Sequence, residues 1–454
     1  MSMKYTLLRP DDPVWPAKIG HAYQQLRASF SHLFPYYFMH ATFPALGGQV
    51  VLVEGDQGVE YAGFLFPKAL SDGVRTYTLR LHARTWPPAP RQQATEAEIA
   101  AGIASVLQPE QVQIDWYDPA AEHPFRDTHH PVGEFDLGAP SREEVSQIHR
   151  LQQQIWGVSD PYYPSDIYSS SFPPALALVA RHEGQVAGFL LAFYRFDGPS
   201  HALAERHQHR QTGKTPPEWP TERHIEVQSM GVDPSFRRRH LGFHLMRFLA
   251  HQAFQQGVTT LHWTTDPLQF PNVAFYFGKL RTISAAFYPD HYPFQNALNR
   301  VPASRFAIHW HLDSGRVRAV HSIHPLHAAS TTSTRLTRLA DWPGVVILND
   351  GPNDGPNNGT NERPGGDTEA QARDRGGDTV ALEIPADWTR MQQENLDLAA
   401  QWRATTDRLL QRYVGLRAGQ YVVTEVAVAG PRRYLVARRS TRALWDELTR
   451  PGDA

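Results

Sequence analysis

The run Val232-Asp233-Pro234-Ser235-Phe236-Arg237-Arg238-Arg239-His240-Leu241-Gly242-Phe243 has the residue types and spacing of an anion site. Ile225 to Val232 reads as a strand and Asp233-Pro234 as its turn. Leu241, Leu245, Phe248 and Leu249 form the buried stripe of a helix that Gly257 can stop. The first N–H groups of a helix have no partner inside it, and the helix dipole favours negative charge there. Three arginines beside such a terminus add charge-assisted contacts to phosphate oxygens. The chemistry this predicts is the holding of a phosphate-bearing, nucleotide-like cofactor. The bland alternative is a solvated basic connection, because short glycine motifs are weak signals alone.

Strands and helices must position this loop, and the chain shows their plan twice. Pro35-Tyr36-Tyr37, Phe43-Pro44, Val50-Val51-Leu52-Val53 and Ala62-Gly63-Phe64-Leu65 recur as Pro161-Tyr162-Tyr163, Phe172-Pro173, Leu176-Ala177-Leu178-Val179 and Ala187-Gly188-Phe189-Leu190. The offset stays close to 126 residues until a polar insertion, about 197 to 222, lengthens the second copy. Each copy then has another strand, a helix, and a strand ending in Asp-Pro, at Asp118-Pro119 and Asp266-Pro267. A hairpin followed by strand–helix–strand predicts an α/β (α+β) fold of two tandem mixed sheets flanked by helices. In the first copy the loop after the third strand is Trp86-Pro87-Pro88-Ala89-Pro90-Arg91-Gln92-Gln93, with no glycine. That half is expected to lack a cofactor site.

Four segments are expected: 1–135 as the half without an anion loop, 136–330 as the cofactor-binding half, 331–378 as a low-complexity insertion, and 379–454 as a strand–helix–strand segment completing the second half. Leu398, Trp402, Leu409 and Tyr413 give the last segment a helical apolar stripe.

At 454 residues the chain is too long for one ordinary core. A formal net charge of −2, with no long basic runs, argues against nucleic acid as a partner. The absence of cysteine excludes a thiol nucleophile, disulfides and zinc–thiolate sites. The N-terminus lacks the apolar core of a signal peptide, and no apolar run approaches membrane-spanning length, so a cytoplasmic protein with no membrane partner is expected. His309 and His311 alternate along a strand, with His321, His324 and His327 following, but no His-Glu-x-x-His accompanies them and no metal is expected. His262 and Asp266 lack the Gly-x-Ser-x-Gly elbow of a hydrolase triad.

The anion loop resembles motif A of the GNAT acyl-CoA transferases, Arg/Gln-x-x-Gly-x-Gly/Ala, read here as Arg237-Arg238-Arg239-His240-Leu241-Gly242 with His240 in place of the first glycine. Trp263-Thr264-Thr265-Asp266-Pro267-Leu268-Gln269, Asn272 to Leu280 and Tyr288-Pro289-Asp290-His291-Tyr292 are similar to a predicted branch of that superfamily, some members of which are associated with N-succinylamino acid metabolism. Here Arg281 replaces that branch's glycine, while Ser304-Arg305-Phe306 and the tail Glu383 to Trp388 fit it; the likeness spans about residues 140 to 440.

The resemblance implies transfer of an acetyl or succinyl group from acetyl-CoA or succinyl-CoA to a primary amine of a small molecule, an amino acid among the candidates. It implies cofactor contacts along Met230, Gly231, Val232, Arg237, Arg238, Arg239, His240, Leu241, Gly242 and Phe243, and at Asn272. Acyl transfer to an amine needs a base, oxyanion stabilisation and a proton donor for the departing thiolate. In the superfamily the backbone N–H groups before motif A, here Met230 to Val232, polarise the thioester. Glu226 is the candidate base, on a strand face expected to carry Gln228 and Met230 too, and its plain alternative is a solvated edge carboxylate. Helical register by Lys279-Leu280 puts Phe277 at the leaving-group tyrosine position, with Tyr276 beside it. Tyr288 and Tyr292 are alternative donors, although such aromatics more often pack. A non-catalytic acyl-CoA-binding regulatory protein is the rival reading. The oligomeric state is open, a homodimer included.

Overall fold

Strand patterns of alternating and continuous apolar residues, broken by Gly and Pro turns, produce a mixed α/β structure. The computed structural model describes residues 3–30, 32–56, 58–71, 74–85, 96–107, 111–157, 162–195, 223–292, 299–321, 334–349 and 377–452. The proline-rich loop at 86–93, the insertion at 197–222, residues 331–333 and 350–376 of the expected low-complexity segment, and His324 and His327 lie outside the described residues. The chain divides into two compact units, Met1–Leu245 and Met246–Ala454.

In the first unit, β1 (Lys4–Leu8), β2 (Gln49–Gly55), β3 (Gly58–Ser71), β4 (Val74–Ala83) and β5 (Gln111–Trp116) lie side by side in that order. Helix α1 (Trp15–Ser29) follows β1, and α2 (Glu96–Leu107) connects β4 to β5, the one parallel pair of this sheet. A crossover helix is what a parallel connection requires. The order then resumes with β6 (His130–Val132), β7 (Phe135–Gly138), helix α3 (Arg142–Trp156), β8 (Ala175–His182), β9 (Gln185–Arg195) and β10 (His224–Val232), all antiparallel neighbours from β6 through β10.

Helix α3 shows how locally the sequence can specify an element. Ser141 and Glu144 form a capping box, with the Ser141 N–H donating to Glu144 Oε2 at 2.7 Å, and Gly157 ends the helix at φ 61°. Its Val145, Ile148 and Leu151 face the core. That core also buries Phe34, Phe38, Phe43, Phe64 and Phe66 from the N-terminal stretch and Val179, Phe189, Leu191 and Phe193 from β8 and β9. A second core under β2–β5 holds Ile99, Ile103 and Leu107 of α2.

Arg80 on β4 makes a two-pronged ion pair with Asp166, its Nη2 donating to Oδ1 at 3.0 Å. Its Nε also donates to His82 Nε2 at 2.9 Å, and its guanidinium lies 4.1 Å from the centre of the Tyr117 ring. Burial, with the Arg80 charge behind it, holds the His82 imidazole well below the usual histidine value.

Helix α4 (Leu241–Gln255) contains the boundary between units. The second unit has β11 (Thr260–Thr265), β12 (Ile283–Tyr292), β13 (Ala303–His311), β14 (Thr337–Arg338), β15 (Val346–Ile347), β16 (Thr379–Ile384), β17 (Tyr421–Ala429) and β18 (Arg432–Arg439). Their spatial order is β15-β16-β18-β17-β12-β13-β11, with β14 paired to β17. Helices α5 (Trp388–Glu394), α6 (Leu396–Tyr413) and α7 (Arg442–Thr449) complete it. Among the described residues no helix is long and apolar enough to cross a membrane.

Candidate functional site

The anion loop begins where β10 stops. The Asp233 N–H donates to the Ala187 carbonyl at 2.9 Å, and the Asp233 carboxylate accepts from the Ser235 N–H at 2.9 Å and from its hydroxyl. Pro234–Phe236 form one 3-10 turn, after which Arg237 is extended at φ −62°, ψ 151°. Arg238 and His240 are both left-handed at φ 63°. Helix α4 then starts, its first described bond running from the His244 N–H to the His240 carbonyl at 3.0 Å. The loop leads directly into a helix N-terminus, whose first N–H groups and dipole suit an anion.

His240 occupies the glycine position of the motif, and its positive φ shows why glycine is the easier residue there. A Cβ on Gly242 would touch only Met230 and Val232 at ordinary separations, 3.6 Å to the Met230 methyl, so neither φ nor packing requires that glycine. By contrast, α4 closes on β9 at Gly188, where a Cβ would stand 3.2 Å from Leu241 and 3.3 Å from Leu245.

All four residues Arg237 to His240 are exposed. Arg239 bonds Glu134 Oε2 through Nη1 at 2.9 Å. Among the described residues, Arg237 and Arg238 pair with no carboxylate.

Along β10 the structure corrects the expected face. Glu226 lies opposite Phe193, Val227 opposite Ala192, Ser229 opposite Leu191 and Met230 opposite Leu190, so Gln228 is the extra residue of a β-bulge. The bulge reverses the alternation. Glu226 therefore shares its face with Ser229 and Gly231, and Met230 lies on the other face, toward Gly242. Gln228 Oε1 and Ser229 Oγ are buried with no hydrogen-bond partner among the described residues. Gly231 is packed too tightly for a side chain, 2.5 Å from Phe189 and 2.8 Å from Ile155 at an added Cβ.

Glu226 is buried rather than at a solvated edge, and Arg195 Nη1 donates to its Oε2 at 2.9 Å. Burial pushes its carboxyl above the usual value against the opposing pull of Arg195. Sequence reasoning missed Arg195. An arginine ending the apolar strand Gln185–Arg195 was the available signal.

The other candidates lie in the second unit. Tyr276 sits in a π-helical turn, Ala274–Leu280, that follows the helical turn Phe270–Val273 and ends at left-handed Arg281, φ 64°. Phe277 is fully buried, 6.2 Å from the Phe306 ring, and belongs to the core. The Tyr276 ring lies 5.1 Å from Trp263 of β11, and burial has pushed its hydroxyl up to about 12.

Tyr292 Oη is 3.2 Å from Thr264 Oγ1, with the Arg305 guanidinium 4.9 Å from its ring centre; Tyr288 lies opposite Arg305 in the sheet. Arg305 in turn approaches Asp266 at 3.7 Å, and Arg403 of α6 bonds the same carboxylate at 2.5 Å. Asp266 is thus a structural anchor. Asn272 is exposed.

The His262 and His309 rings are 4.5 Å apart and those of His309 and His311 6.3 Å apart. Among the described residues no three His, Asp or Glu side chains are grouped to hold a metal.

Residues 143–279 match the family described as "Acetyltransferase (GNAT) family". No curated protein matches the chain. Among solved structures, the ribosomal-protein-S18-alanine N-acetyltransferase of Escherichia coli is similar at 15% identity and TM-score 0.29, covering 39% of this chain and 93% of that one. An N-acetyltransferase of Staphylococcus aureus Mu50 is similar at 16% identity and TM-score 0.29, covering 39% and 98%. Residues 143–279 carry a domain of the Acetyltransferase (GNAT) family.

Proposed function

We propose that the protein is an acyl-CoA-dependent N-acyltransferase that moves an acetyl or succinyl group to a primary amine of a small molecule, an amino acid among the candidates. The observation that carries this reading is the loop from Arg237 to Gly242. Its left-handed backbone, exposed arginines and helix N-terminus fit a pyrophosphate, and it lies inside the matched segment. Bound there, CoA would supply the activated thioester. Arg237, Arg238 and the first amides of α4 would hold its phosphates, and β10 from Val232 back to the bulge would line its arm.

Glu226 would take the proton of the attacking amine, directly or through water, its raised value bringing it nearer neutrality. Tyr276, protonated at neutral pH, would give a proton to the departing sulfur, with Tyr288 and Tyr292 as alternatives and Asn272 beside the cofactor. Residues 1–135 are read as a degenerate tandem half. Their β4 and β5 stay paired from Thr76↔Gln111 to Leu81↔Trp116, and no chain or ligand can enter between strands bonded along that length. A cytoplasmic location without nucleic-acid or membrane partners belongs to the same proposal.

Isothermal titration with acetyl-CoA and succinyl-CoA tests it. Binding that Arg237→Ala weakens is expected, and no binding of either by folded protein overturns it. A second reading, an acyl-CoA-binding regulatory protein, is favoured by the Arg195–Glu226 pair, which occupies the carboxylate a base would need. Thiol release across an amine library separates the two.

A further inference from the structure

The anion loop is braced from outside itself. Glu134, in the turn between β6 and β7, accepts from Arg239 Nη1 at 2.9 Å and lies 3.4 Å from His182 Nε2 at the end of β8. Phe236 of the loop fills the space beside them, its ring centre 6.0 Å from that of Phe135 and 4.9 Å from that of His182. The Arg239 guanidinium also lies 5.4 Å from the Phe236 ring centre. Three separate stretches of the first unit therefore meet at the middle arginine of the loop's strained part.

That placement matters because Arg238 and His240, the residues on either side of Arg239, both hold a left-handed backbone without being glycine. Such a conformation is unfavourable for an L residue and persists where the surroundings impose it. We propose that Glu134 is a positioning residue: by holding Arg239 it keeps the loop backbone in its anion-binding shape, so that Arg239 anchors the loop while Arg237 and Arg238 meet the phosphates. This rests on the acyl-CoA reading above, and it changes the role of one of the three arginines that the motif would assign to the ligand.

The proposal makes a prediction opposite in sign to simple electrostatics. A carboxylate beside an anion site repels the anion, so removing its charge should tighten binding if charge were all that mattered. Anchoring requires the reverse. The test is titration of the full chain with coenzyme A, with thermal melts confirming folding; the pair is half-exposed, so its loss should leave the fold intact.

Glu134→Gln and Arg239→Ala should each weaken coenzyme A by about three- to tenfold, and the double variant no more than either single, since both remove one coupled brace. Glu134→Asp, which keeps the charge, should retain most of the affinity. Tighter binding by Glu134→Gln, or a large loss confined to Arg239→Ala, would show that Arg239 contacts the phosphates itself and would overturn the proposal while leaving the acyl-CoA reading intact. Failure of the folded wild-type chain to bind coenzyme A would remove both.

Discussion

Arg195 and Glu226 meet across β9 and β10, Nη1 to Oε2 at 2.9 Å, with 0% and 8% of their side chains exposed. The carboxylate best placed by sequence to act as a base is thus already engaged by a buried cation. Removing one partner of such a pair strands the other charge, so Glu226→Ala should lower stability by about 3–5 kcal/mol. The measurement is the urea midpoint at constant slope. Arg195→Met combined with Glu226→Leu should recover most of the loss. A Glu226→Ala protein as stable as wild type would mean that the pair is not formed.

The same carboxyl gives a pH signature. Its value is raised from 4.5 in the folded protein because burial outweighs the pull of Arg195. The folded state then binds this proton more tightly than the unfolded state does. Its contribution to stability is largest below the unfolded value and is lost as pH rises through the folded one. The stability of wild type minus that of Glu226→Gln should therefore fall as pH rises from about 4 toward neutrality. A difference that is flat, or that grows with pH, would show the carboxyl to be depressed instead.

His240→Gly should relieve strain. At φ 63° an L residue is disfavoured by about 1–2 kcal/mol, partly offset by the extra unfolded-state freedom of glycine. A net gain of about 0.5–1 kcal/mol is expected, with coenzyme A affinity kept or improved. Loss of both stability and affinity would show that the His240 ring makes a contact worth more than the strain.

Asp166→Ala should be among the most damaging changes in the first unit. Arg80 is 2% exposed and is held by both oxygens of Asp166, so truncation leaves a guanidinium buried against Phe34, Phe172 and Tyr117. A loss of about 3–5 kcal/mol is expected in chemical denaturation. A loss under about 1 kcal/mol, the range of an exposed pair, would mean that water reaches Arg80.

What was legible beforehand is what is local. The loop, the α4 stripe from Leu241 to Leu249, the α6 stripe through Trp402 and Leu409, and strands near 380, 421 and 434 are each written in neighbouring residues. The Glu226 face was misread because a bulge is set by pairing with β9, which strand periodicity does not report. The π-helical turn that holds Tyr276 is likewise outside what a 3.6-residue periodicity reports. Arg195–Glu226 and Arg80–Asp166 join residues 31 and 86 positions apart, and only the folded chain brings them together.

Tyr276→Phe tests the proposed proton donor. The phenyl ring keeps the packing on Trp263, so melting should change by less than about 0.5 kcal/mol-equivalent. Coenzyme A affinity should hold, because the hydroxyl is asked only to protonate the leaving sulfur. Steady-state thiol release should fall by about 10²-fold or more, the usual worth of a positioned acid. Because burial has pushed the hydroxyl up to about 12, the wild-type rate should show no loss from tyrosine titration through mildly alkaline pH. An unchanged rate in Tyr276→Phe would move the donor role to Tyr288 or Tyr292, where Tyr292 already shares a 3.2 Å contact with Thr264. Repeating the substitution at each of those positions would then decide between them.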